Sequence, residues 1–86
     1  MTNYRTILIR ACRGREIADS RNASIRQTNI GKVRMAKAYV KDAITFRWNE
    51  KRCLTLISNW RYEIAQLMPG NYESNLNEIN TLISNQ

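Results

Sequence analysis

The stretch "NASIRQTNIGKVRMAK", residues 22–37, holds four basic residues, one glycine and no acid. Cationic side chains without acids beside them can grip phosphate or an acidic protein face, so they are the groups here best able to do chemistry. Nine Lys or Arg fall in residues 1–37 against Glu16 and Asp19, while residues 38–86 hold five of each sign. The first half therefore carries the whole net charge of +7. Ten of the fourteen basic residues are arginine, whose planar fork suits phosphate and carboxylate oxygens better than a lysine point charge. Phosphate contacts are expected from Arg13, Arg15, Arg21, Arg26, Lys32, Arg34 and Lys37, with no identifiable sequence readout. Tyr4 and Trp48 could add stacking on bases.

Other chemistries find few residues to work with. Histidine is absent, which removes the commonest metal ligand and the commonest general base. Cys12 and Cys53, far apart and without histidine, do not make a zinc set. They are expected as reduced thiols packed like small apolar groups. Gly14, Gly31 and Gly70 are too scattered to write a phosphate-binding glycine loop. The seven acids stand singly, and serine or threonine nucleophiles would lack a histidine to activate them. The expectation is a chain that is not an enzyme and takes no metal or cofactor.

A helix-turn-helix is the sharpest motif to test. Glu16-Ile17-Ala18 resembles part of its first helix, but the apolar residue needed shortly afterwards for helix packing is replaced by Ser20, Arg21 and Asn22. The motif is disfavoured. No run is long enough for a membrane span, and "MTNYRTILIRACRGR" is broken by arginines where a signal region would be apolar. A cytoplasmic chain without membrane partners is expected, and the sequon at Asn22 is discounted accordingly.

The elements that must position these residues read as helices. In 49–68, Cys53, Leu56, Ile57, Trp60, Ile64, Leu67 and Met68 form one apolar stripe, with Asn49 as cap and Pro69-Gly70 as stop. This spacing predicts one central buried helix with Trp60 as a core aromatic. Leu76, Ile79 and Ile83 mark a C-terminal helix capped by Ser74 or Asn75. "TLISN" occurs at 55–59 and 81–85, but its flanks do not repeat. Residues 28–48 suggest a second long helix burying Val33, Ala36, Val40, Ala43 and Ile44, with Met35, Tyr39 and Phe46 widening the face. Arg34, Lys37, Lys41 and Trp48 fall on its opposite flank. A break is expected within 47–52.

Tyr4, Ile7, Leu8 and Ala11 suit a helix, since "RTILI" has no second strand to pair with. Residues 19–28 read as a connection. A chain of 86 residues should bury about 60–65% of its unfolded surface. The expected fold is all-α, a single-domain bundle of three or four helices, with a basic half (1–37) and a neutral helical core (38–86).

The function expected first is a small non-catalytic accessory or regulatory protein binding DNA or RNA through phosphate contacts. The alternative is a small inhibitor or adaptor, of the kind phages and mobile elements encode, docking on an acidic or nucleic-acid-receiving surface of a larger complex. A bare basic groove would favour the first. An exposed apolar strip with an arginine rim would favour the second.

Overall fold

The computed structural model describes residues 3–14 and 30–85. All regular structure among them is helical: α1 (Tyr4–Arg13), α2 (Ile30–Thr45), α3 (Glu50–Asn59), α4 (Arg61–Leu67) and α5 (Tyr72–Ser84). The expected all-α bundle is therefore observed, with five helices described where three or four were expected.

Three helices start on an asparagine whose side chain replaces a missing backbone partner. Asn3 accepts from the Thr6 amide at 2.9 Å, Asn49 from Arg52 at 2.8 Å and Asn71 from Ser74 at 3.0 Å. Each satisfies one of the amides that a helix start leaves open. Asn49 caps as the sequence suggests. Asn71, rather than Ser74 or Asn75, caps the last helix, which begins earlier than expected.

The 49–68 pattern is two helices, a correction to the single helix expected. Trp60 interrupts them with φ −119° and ψ 29°, yet its amide still reaches Leu56 and its carbonyl still accepts from Ile64. The weak helix formers Ser58 and Asn59 mark the break. One hinge residue leaves the apolar stripe almost in register, which is why periodicity alone cannot show it. Trp60 is half-buried at the hinge rather than central to the core.

The short α4 is the element the others share, packing against α1, α2, α3 and α5. Ile7, Val33, Val40, Ile57, Ile64, Leu67 and Ile79 are the largest fully buried side chains. Each contributes about 1.5–3 kcal/mol by leaving water. Between them Ala11, Ala36, Ala43 and Ala65 let backbones approach closely. Gly14 is the extreme case: a Cβ there would collide with the Leu67 carbonyl at the end of α4. Its φ of −61° suits any residue, so closeness and not backbone freedom requires glycine.

One polar cluster joins the ends of the fold. Asn75 is 2% exposed and donates to the carbonyls of Ala65, Met68 and Pro69 at 3.2–3.3 Å. It thereby ties the Pro69-Gly70 turn to α5. Gly70, at φ 98°, supplies the left-handed residue that this turn needs.

Candidate binding surfaces

Of the seven cations expected to grip phosphate, four lie among the described residues. Arg13 ends α1 and is exposed. Arg15, Arg21 and Arg26 lie outside the described residues, as do most of the tested helix-turn-helix segment and the 19–28 connection. Lys32 and Arg34 are exposed on α2, but at about 100° per residue they point about 160° apart. Lys37 is half-buried, with contacts of its own. Arg34 and Lys41 do share an exposed flank of α2.

What lies between Lys32 and Arg34 was expected in the core. Met35, Tyr39 and Phe46 are 49%, 37% and 70% exposed, a correction to the wider apolar face predicted for this helix. The buried face is the narrower set Val33, Ala36, Val40 and Ala43. Spacings of four and seven residues place Met35, Tyr39 and Phe46 on one line, together with Asp42. Tyr39 extends the strip sideways, its ring 5.5 Å from that of Trp60 and tilted by 54°. Beyond Trp60, Tyr62 is 53% exposed with the Arg61 guanidinium 5.7 Å from its ring centre. Lys32 on one side and Arg34 and Lys41 on the other thus border the strip on α2.

A second surface lies where α2 gives way to α3. The helix ends with Arg47 in the left-handed region at φ 49°. The Trp48 amide reaches back to the Ala43 carbonyl at 3.0 Å, and that of Arg47 to Ile44 at 3.3 Å. This closure favours glycine at the left-handed position. It also corrects the expected place of Trp48, which leaves α2 instead of joining the flank of Arg34 and Lys41. Trp48 packs half-buried against the core, and the Arg52 guanidinium lies 3.7 Å from its ring centre. Arg5 of α1 sits 5.8 Å from the ring centre of Tyr4.

Cys53 lies within the electrostatic reach of Arg5 and Arg52. Burial raises its thiol pKa, while Arg5 and Arg52 both pull it down. Two arginines distant in sequence therefore act on one thiol, which donates to the Trp48 carbonyl at 3.5 Å. Sequence reading did not single out Arg5, Arg47 and Arg52. Trp48 stands outside both helices, so helical spacing gave no signal for its contact with Arg52.

The cysteines are both free, Cys12 half-buried and Cys53 buried. Among the described residues no three His, Cys, Asp or Glu gather as metal ligands, and no helix is long and apolar enough to cross a membrane. A shallow open groove between α3 and the end of α5 is lined by Glu50, Lys51, Leu54, Thr55 and Ile83. The class these features define is a small helical bundle with exposed aromatic and cationic surfaces. No protein family, curated protein or solved structure matches the chain.

Proposed function

We propose that this protein is a non-catalytic docking module, an inhibitor or adaptor that engages an acidic surface of another protein through the outer face of α2. The exposed strip of Met35, Tyr39 and Phe46, bordered by Lys32, Arg34 and Lys41, carries this reading. Methionine, aromatics and arginine are the residues enriched in protein interfaces, where the rings supply area and the charged rim fixes the partner. Asp42 is the one acid in the strip. A second copy of the chain would bring like charges face to face, so charge complementarity selects an acidic partner. Lys32 and Arg34, about 160° apart on α2, suit the two borders of such a strip better than a shared grip on one phosphate.

The test is affinity capture from nuclease-treated lysate with three forms of the protein: unchanged, Tyr39→Ser with Phe46→Ser, and Arg34→Glu with Lys41→Glu. The expected result is nuclease-resistant capture of an acidic protein, lost in both variants while melting hardly moves. Capture that depends on nucleic acid would overturn it. So would a DNA-binding salt slope that flattens when Arg13, Arg15, Arg26 and Arg34 are reversed together. Elution as a dimer that Tyr39→Ser with Phe46→Ser dissociates would replace the acidic partner with a second copy.

A further inference from the structure

We propose that the partner docks on α2 as an acidic amphipathic helix, lying along a furrow floored by Gly31, Ala38 and Thr45. This rests on the α2 docking reading and adds what seats there and along which line.

The first argument is the furrow itself. Gly31, Ala38 and Thr45 are all exposed on α2. They stand seven residues apart, a spacing that returns a helix to nearly the same direction, about 20° off per step. Among the described residues nothing lies within 4 Å of where a Cβ at Gly31 would stand. Met35, Tyr39 and Phe46 raise one side of this line, and Arg34 and Lys41 raise the other. The Tyr39 ring is held 5.5 Å from that of Trp60, so this wall is anchored before any partner arrives. Small side chains between two rows of large ones accept the ridge of a neighbouring helix.

The second argument is charge. Arg34 and Lys41 are also seven residues apart, and among the described residues neither has an ion-pair partner. One wall is therefore cationic, and the other is apolar apart from Asp42. An occupant that matches both carries carboxylates along one flank and an apolar row beside them. Charged rows beside an apolar seam select helical partners in the same way in coiled coils. A second copy laid antiparallel would set Arg34 and Lys41 against their own counterparts, which charge repulsion opposes.

The third argument is the repeat length. Seven residues of α2 rise about 10.5 Å. An extended strand covers that distance in about three residues, and residues three apart point to opposite faces. A helix brings the same face back every seven residues. It can meet Arg34 and Lys41 with two acids at that spacing while its apolar row stays on Met35 and Phe46.

The experiment titrates the full chain at low salt with three synthetic peptides of about twenty residues. One has a leucine row at helical spacing flanked by glutamates, one is the same composition shuffled to lose that row, and one has lysines in place of the glutamates. The acidic amphipathic peptide should bind about tenfold or more tighter than either of the others, and should gain helix in circular dichroism as it binds. Ala38→Gln is an exposed change that fills the furrow. It should leave the melting temperature unchanged and weaken that peptide about tenfold or more. Arg34→Gln with Lys41→Gln should weaken the peptide and flatten its salt dependence, while Arg13→Gln should change it less than about twofold. No binding of the acidic peptide, equal binding of the shuffled one, or indifference to Ala38→Gln would overturn the proposal. If Ala38→Gln has no effect while Tyr39→Ser with Phe46→Ser still abolishes capture of an acidic protein, the docking reading stands and the helix in the furrow falls. A dimer dissociated by Ala38→Gln would give the furrow to a second copy and overturn the proposal.

Discussion

Arg10 of α1 reaches Glu78 of α5, 68 residues away, with Nη1 at 2.9 and 2.8 Å from the two carboxylate oxygens. Its other terminal nitrogen donates to the Asn75 side chain at 3.2 Å, so the ion pair abuts the buried amide that holds the Pro69-Gly70 turn. The two charged side chains are each one-third exposed, and water screens their attraction. Glu78→Gln should therefore cost only about 0.5–1 kcal/mol. Asn75→Ala should cost about 2–3 kcal/mol, because it strands an arginine donor and several turn carbonyls in a poorly hydrated place. Urea unfolding of the two variants tests the order. A larger loss from Glu78→Gln would mean that the charge pair, and not the amide, ties the turn down.

Trp60 sits at a hinge, which moderates what its loss should do. Ile64→Ala empties a fully buried site beside it and should cost about 2–5 kcal/mol. Trp60→Ala removes a half-buried ring and the contact with Tyr39, and should cost less, about 1.5–3 kcal/mol. Thermal melts of the two variants give the comparison. Equal or greater damage from Trp60→Ala would put the ring at the centre of the core.

Two glycines should respond oppositely to the same change. Gly14→Ala drives a methyl group into the Leu67 carbonyl, where neither backbone can give way cheaply, and should cost about 1–3 kcal/mol. Gly31 has open space around its missing Cβ in the first turn of α2. Gly31→Ala should be neutral or stabilising by up to about 1 kcal/mol. Denaturant midpoints decide this, and a neutral Gly14→Ala would deny the close approach of α1 to α4.

The thiols should differ in access and in their effect on pH stability. On the folded protein an alkylating reagent should modify half-buried Cys12 faster than buried Cys53, and two adducts should form after denaturation without reductant. Burial raises the Cys53 pKa above its unfolded value despite Arg5 and Arg52. The contribution of the thiol is thus fully present below the ordinary thiol range, about 8.5, and is lost as pH rises through the folded value. Unfolding free energy measured from neutral to alkaline pH should fall more steeply for the unchanged protein than for Cys53→Ala. Parallel curves would show that the thiol ionises as readily in the fold as in the open chain.

The sequence alone determined that the described chain is helical and where several helices start and stop, because those signals are local. Tyr4, Ile7, Leu8 and Ala11 repeat at helical spacing, Asn49 stands one residue before a helix, and Pro69-Gly70 ends one. Tertiary structure decided which apolar residues stay dry. Met35 and Tyr39 carry the same hydrophobic signal as Val33 and Val40, but only the face that meets α1 and α4 is covered. The break at Trp60 was hidden because one hinge residue barely shifts a stripe. Charge was legible as an amount and not as a place. Counting put the excess in residues 1–37, whereas the convergence of Arg5 and Arg52 on Cys53 needs α1 and α3 packed together. Periodicity constrains neighbours within a turn or two of helix, and only packing brings Arg5 within electrostatic reach of Cys53, 48 positions away.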